Sequence, residues 1–169
     1  MSIRVTAYIG LGSNLGDREE NLRCAVRLLQ DPGSIKMKRL APLYRTAPLG
    51  EIDQPEFLNT VAEVATRLSP HQLAARLFQI EDELGRVRER HWGPRVVDLD
   101  LLLYDDLVLN EPDLVVPHPR LTERAFVVAP LAVLAPDMPL PGGFTASELA
   151  VALRKKQSIV QVKDVDWLG

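Results

Sequence analysis

The sequence predicts an α+β fold: a ferredoxin-like βαββαβ core, an antiparallel sheet with helices packed on it, followed by C-terminal helices and short strands. Two observations lead there. Period-two apolar runs near Val5, Leu40, Phe57 and Val96 read as strands, and apolar stripes at helical spacing fall after the first and the third of them. No internal repeat, low-complexity tract or linker interrupts the order.

In the first strand Val5, Ala7, Ile9 and Leu11 alternate with Arg4, Thr6 and Tyr8. Gly10, Gly12 and Gly16 then act first as turn formers, because GLGSNLG lacks the Lys-Ser/Thr ending of a phosphate loop and the dinucleotide spacing. Asp17 with Glu20 reads as a capping box for a helix to about Gln30, with Leu22, Ala25, Val26 and Leu29 as its stripe. Asp31-Pro32-Gly33 stops it. Ile35, Met37 and then Leu40 to Tyr44 make a second strand bent near Ala41-Pro42.

Residues 45–56, RTAPLGEIDQPE, form a loop marked by Pro48, Gly50 and Pro55. Phe57, Asn59, Val61 and Glu63 open the third strand, and Asn59 is its polar member nearest the loop. Ser69 caps the next helix with Pro70 at its first position; Leu73, Leu77, Ile80 and Leu84 form its stripe, with Glu81 at the edge. The core helices are expected on one face of the sheet.

Beyond the fourth strand, Tyr104-Asp105-Asp106 turns the chain into a short strand at Leu107 to Leu109. Val115 to Pro119 is stiffened by its prolines and holds His118 rigidly. Thr122 is expected to cap a helix through Arg124 and Phe126, kinked at Pro130, with Val127, Val128, Leu131 and Leu134 buried. A turn-rich passage, a short helix from Ser147 to Leu153 and a closing strand at Ile159 to Val162 complete the chain.

The 169 residues fit one domain, 1–169, large enough to bury a core without disulfides. No run is long enough to span a bilayer, Arg4 and Thr6 interrupt the N-terminal apolar stretch, and the single Cys24 excludes an internal disulfide. A cytoplasmic location with no membrane partner is the expectation. A net charge of -3 and 5% aromatic residues argue against a nucleic-acid partner. Locally the balance reverses: Arg86, Arg88, Arg90, His91 and Arg95 face only Glu89, and that patch would attract a small polyanion.

The chemistry concentrates in HWGPRVVDLDLLL, from His91 to Leu103. Asp98 and Asp100 lie two apart in an apolar run, so a strand points both carboxylates to one face. Two such acids flanked by Val96, Val97, Leu99 and Leu101 need compensation, and oxygen ligands suit a hard cation such as magnesium. Just upstream, Trp92-Gly93-Pro94-Arg95 offers a flat ring, a stiff turn and a guanidinium suited to phosphate. The acids and arginines alone equally permit another magnesium-dependent kinase or phosphohydrolase on a small substrate.

HWGPRVVDLDLL closely resembles the signature of the 6-hydroxymethyl-7,8-dihydropterin pyrophosphokinase family of folate biosynthesis. GSNLGD at Gly12, YRTAPLG at Tyr44, DQPEFLN at Asp53, IEDELGRVR at Ile80, VPHPR at Val116 and ERAF at Glu123 resemble the family's other landmarks, in family order. The resemblance implies transfer of the terminal diphosphate of ATP to the pterin hydroxymethyl group, releasing AMP. It implies two Mg2+ ions held by Asp98 and Asp100, with Arg86 and Arg95 acting on the phosphates. Glu81, Arg86, Arg88, Arg95, Leu101, His118 and Arg124 would line the ATP site. Thr46, Pro48, Leu49, Phe57, Asn59, Trp92 and Phe126 would bind the pterin, Phe57 and Phe126 as a ring sandwich and Trp92 as a closing cover. Either Arg90 or His91 takes the place of a family loop arginine, and Phe78, Asp113 and Val115 stand where some members carry polar or basic residues. ATP and the pterin are the expected partners of a monomer.

Overall fold

The computed structural model describes residues 4–46, 56–85 and 96–169. Its core runs β1 (Val5–Ser13), α1 (Arg18–Leu29), β2 (Ile35–Leu40), β3 (Leu43–Thr46), β4 (Phe57–Thr66), α2 (Pro70–Glu83) and β5 (Asp98–Tyr104). A hairpin of β6 (Leu109–Glu111) and β7 (Leu114–Val116) follows, then α3 (Ala125–Leu134), α4 (Ala146–Arg154) and β8 (Ile159–Lys163). Among the described residues no helix is long and apolar enough to cross a membrane.

All pairings of the main sheet are antiparallel, in the order β5-β1-β4-β3-β8, with β2 also paired to β4. β2 and β3 are the two halves of the expected second strand, broken at Ala41-Pro42 because proline has no N–H for the ladder. The Thr60 hydroxyl lies 3.0 and 2.9 Å from the carbonyl oxygens of Ala41 and Pro42 and satisfies the bend. The ferredoxin-like expectation therefore holds, and β8 adds a further edge strand.

The two core helices share one face of this sheet, as expected, and the C-terminal helices cover the other. Leu22, Leu29, Leu73 and Ile80 of α1 and α2 pack on Ile9, Leu11, Val64 and Leu99. Val128, Leu131, Ala146 and Ala150 of α3 and α4 pack on Tyr8, Val61, Leu102 and Leu103. The cause lies in α3, where seven of ten residues are buried, so it needs a second apolar sheet face to cover it. A register shift between Tyr8 and Ile9 helps: Tyr8 pairs Leu103 and Ile9 pairs Leu101, so Leu102 and Leu103 both join the α3 side.

Capping chemistry explains most boundaries. Ser69 and Gln72 exchange hydrogen bonds of 3.2 and 2.9 Å at the start of α2, and Thr145 and Glu148 do the same for α4. At α1 only half of the expected box forms: Asp17 accepts from the Glu20 N–H at 3.1 Å, while the Glu20 carboxylate turns to Arg27 at 2.9 Å. Thr122 does not cap α3. It sits in a 3-10 turn, Leu121–Glu123, and α3 begins at Ala125 with no capping side chain from Arg124. The short strand expected at Leu107 starts instead at Leu109, after a turn in which Asp105 takes φ 50.

The far end of α3 is anchored by a polar network. Arg39 donates through Nε and Nη2 to both oxygens of Glu63 at 3.0 Å, and Nη2 also donates to the Leu134 carbonyl at 2.6 Å. The Tyr8 hydroxyl donates to the same carboxylate. These contacts, led by the Arg39 hydrogen bonds, hold the Glu63 carboxyl below its ordinary value. A depressed carboxylate stabilises the fold above its unfolded pKa, and that contribution disappears as pH falls through the folded value. Glu63→Gln is expected to cost about 2 kcal/mol at pH 7, measured by urea denaturation. The gap to wild type should narrow below about pH 4.5, the ordinary carboxyl value; a gap that widened there would contradict the network's charge state.

The C-terminal residues are part of the fold. Trp167 is 4% exposed, packs with α1 in the first core, and donates from Nε1 to the Ala41 carbonyl at 3.0 Å. Arg23 reaches the Trp167 carbonyl at 2.6 Å, and Lys163 pairs with Glu19 at 2.8 Å.

Candidate active site

β5 is an edge strand, and Asp98 and Asp100 are its first and third residues, pointing to the α3 side. Opposite them on β1 stand Gly12 and Gly10. No β1 side chain crowds the carboxylates, because their cross-strand partners have none. The same glycine serves the next strand: a Cβ on Gly12 would lie 2.6 Å from Asn59 Oδ1. The two-residue spacing of the glycines matches that of the aspartates, a signal available in the sequence that reading GLGSNLG as a turn overlooked. Its turn part is nonetheless real, with Gly16 at φ 65 and the Leu15 carbonyl held by Asn21 at 2.7 Å.

Two basic side chains approach Asp100. His118 Nε2 and Arg124 Nη1 each stand 4.0 Å from its oxygens, beyond hydrogen-bonding range. His118 is fixed to the edge strand by its own N–H, which donates to the Leu102 carbonyl at 2.9 Å. Its Nδ1 accepts from the Arg120 N–H at 3.1 Å, so the ring proton of the neutral form belongs on Nε2, facing Asp100. Burial, with Arg124 and Arg120, holds this imidazole below its ordinary value against the pull of Asp100. Among the described residues no donor reaches hydrogen-bond distance of the Asp100 carboxylate. Two same-face carboxylates, with the basic neighbours of Asp100 at 4.0 Å, are a donor set that fits a hard cation.

Beside these groups a cleft of about 340 Å³ runs between α2, the edge of β5 and the β6–β7 hairpin. Glu81, Asp100, Leu101 and His118 line it together, with Phe78 and Asp113 at its walls. Glu81 is 6% exposed, and its Oε2 accepts from the Leu99 N–H at 2.8 Å, between the two aspartates in the chain. That carboxylate therefore pins the acidic strand to α2 as well as facing the cleft. At the outer rim His71 Nε2 lies 3.3 Å from Glu111, an exposed pair that ties the hairpin to α2 and contributes under about 1 kcal/mol.

A second group of the expected residues gathers on the α3 side of the same sheet face. Thr46 pairs with Phe57 and Tyr44 with Asn59 across β3 and β4. Asn59 Nδ2 donates to the Thr46 hydroxyl at 2.7 Å, which orients the amide and leaves Oδ1 over Gly12. Phe126, in the first turn of α3, packs on the second core, and the Arg124 guanidinium lies 5.5 Å from its ring centroid. Arg124 thus links the two groups. Pro48, Leu49, Arg86, Arg88, Arg90, His91, Trp92 and Arg95 lie outside the described residues.

Fold and site together define the class, a ferredoxin-like α+β protein whose acidic edge strand borders a cleft of small-ligand size. Within that class the particular family is shown by similarity. The family model of 7,8-dihydro-6-hydroxymethylpterin-pyrophosphokinase (HPPK) matches residues 8–136, and the chain belongs to this family. It is 50% identical over 126 residues to a 2-amino-4-hydroxy-6-hydroxymethyldihydropteridine pyrophosphokinase of Bacillus subtilis, covering 75% of each chain. It is 46% identical over 147 residues to the protein of that name from Methylorubrum extorquens, covering 87% of this chain and 92% of the relative. Among solved structures, a Plasmodium falciparum HPPK-DHPS chain superposes with a TM-score of 0.73 at 15% identity, which shows the fold alone. The alignment covers 90% of this chain and 46% of that one.

Proposed function

We propose that this chain transfers the terminal diphosphate of ATP to the hydroxymethyl group of 6-hydroxymethyl-7,8-dihydropterin, giving the pterin diphosphate and AMP for folate biosynthesis. The observation that carries the proposal is Asp100 lining a cleft with His118 and Glu81, with Arg124 4.0 Å from it and Asp98 on the same strand face, in a chain of this family.

The nucleotide end of ATP enters the cleft beside Glu81, Leu101 and His118, with neutral His118 able to donate from Nε2. Leu101 and Leu99 supply the apolar wall of that cleft. Asp98 and Asp100 would hold two magnesium ions, which would supply charge neutralisation of the triphosphate and polarisation of the β-phosphorus. Arg124, from the start of α3, turns its guanidinium to the same place and adds charge stabilisation. Arg86, Arg88 and Arg95 follow the family pattern in meeting the phosphates.

The pterin stacks between Phe57 and Phe126, each ring contact adding about 0.5–1.5 kcal/mol beyond its buried area. Asn59, oriented by Thr46, reads the heterocycle edge; an analogue without the matching group leaves buried polar atoms unpaired. Pro48, Leu49 and Trp92 complete that pocket in the family pattern. Positioning of the hydroxyl against the β-phosphorus then carries the reaction, with no covalent enzyme intermediate. The working form is a monomer, and the free Cys24 suits a reducing cytoplasm.

The deciding experiment is product analysis with ATP, magnesium and the hydroxymethyl pterin, against a control without pterin. AMP that forms only with pterin, together with a pterin diphosphate, is the expected result. ADP or free phosphate as the nucleotide product would overturn the reaction in favour of an ordinary kinase or phosphohydrolase.

A further inference from the structure

The start of α3 carries two groups of the proposed site, Arg124 at the N-cap and Phe126 in the first turn, yet its own sequence supplies no side-chain cap. The first N–H groups of a helix have no partner inside it and must find one elsewhere. For Ala125 that partner is remote: Gln157 Oε1 accepts its N–H at 2.9 Å. The other end of the same side-chain amide, Nε2, donates to the Glu123 carbonyl at 2.7 Å. One planar amide thus brackets Arg124 on both sides, as a neighbouring strand would.

Gln157 is itself held. Its N–H donates to the Leu153 carbonyl at 2.9 Å in the last turn of α4, and α4 packs with α3 in the second core. At the opposite end of α3, Arg39 holds the Leu134 carbonyl at 2.6 Å. The helix is therefore held at both termini, by β2 at one end and by the turn after α4 at the other, and at its functional end the only described side chain bracketing the backbone is Gln157. This residue lies past position 136, where the family match ends.

We propose that Gln157 is a positioning residue for the transfer reaction, fixing Arg124 toward Asp100 and Phe126 toward the pterin by clamping the peptide units on either side of Arg124. The proposal rests on the reading of Arg124 and Phe126 as ATP and pterin groups. Loss of the clamp frees both side chains together, so both substrates should feel it. A misplacement of about 1 Å at a positioning group can cost up to about 100-fold in rate.

The test compares wild type with Gln157→Ala, Gln157→Glu and, as a control on the same turn, Lys156→Ala. Three quantities are read: amide hydrogen exchange at Ala125, the melting temperature, and kcat and KM for each substrate. In Gln157→Ala the Ala125 amide should exchange faster, and kcat/KM should fall about 10- to 100-fold for ATP and pterin alike while melting stays close to wild type. Gln157→Glu keeps the acceptor but loses the donor and should fall between, and Lys156→Ala should match wild type. In an Arg124→Ala background the ATP effect of Gln157→Ala should largely vanish, because coupled residues are not additive.

Unchanged kcat/KM despite faster Ala125 exchange would overturn the positioning role, and so would a loss of activity that only tracks a loss of melting temperature. A wild-type chain that makes no pterin-dependent AMP would overturn the reaction itself, an outcome distinct from an active wild type with an indifferent Gln157→Ala.

Discussion

Asp98→Ala is expected to fold normally and to lose transfer activity by about 10²–10³-fold, the scale of several kcal/mol of lost charge stabilisation. The fold should survive because Asp98 is half-buried on an edge strand and pairs there with Gly12. Asp100→Ala should behave alike: its two basic neighbours stand at 4.0 Å, so few structural contacts are lost. Product formation measured across a magnesium titration, with circular dichroism as a check on folding, decides the matter. Near-normal turnover in either variant would refute the cation assignment, whereas an inactive but unfolded variant would mean that these carboxylates hold β5 in place rather than a cation.

Trp167→Ala should destabilise the fold more than Glu63→Gln does, by about 3–5 kcal/mol. That is a large share of the roughly 5–15 kcal/mol that holds a typical domain together. The indole fills the first core between α1 and the bend at Ala41, and Ala41 also receives the Thr60 hydroxyl. Trp167→Phe keeps most of the packing but leaves the Ala41 carbonyl one donor short, for a cost of about 1 kcal/mol from that hydrogen bond. Urea denaturation separates the two; equal midpoints for Trp167→Ala and wild type would mean that the tail is not part of the core.

The legible parts of this protein were those set by local rules. The bend at Ala41-Pro42 follows from a missing N–H, and the start of α2 from Ser69 and Pro70. The shared face of Asp98 and Asp100 follows from the two-residue period of a strand. The family's ordered motifs were visible as well, since they are contiguous in the chain. Where a local rule met a competing partner it failed: Glu20 prefers Arg27 to closing the cap of α1, and Thr122 gives way to a 3-10 turn.

Other features had no local signature. Gln157 is 32 residues from Ala125, and only the packing of α4 on α3 brings its amide to the uncapped turn. Trp167 lies beyond every element expected from the sequence, and only the folded core shows the space it fills. Glu81 was visible as a carboxylate at the edge of an apolar stripe, but its acceptance of the Leu99 N–H depends on how α2 lies against β5.

By itself, then, the sequence determined the order and type of the core elements, the pairing of two acids on one strand face, and the family, because backbone periodicity, caps and contiguous motifs are short-range. Tertiary structure alone decided that both sheet faces are covered, that glycines clear the space beside the aspartates, and that a distant glutamine holds the helix bearing Arg124 and Phe126. Those outcomes depend on contacts between residues far apart in the chain, and such contacts follow from how apolar faces pack and where unpaired backbone groups find partners.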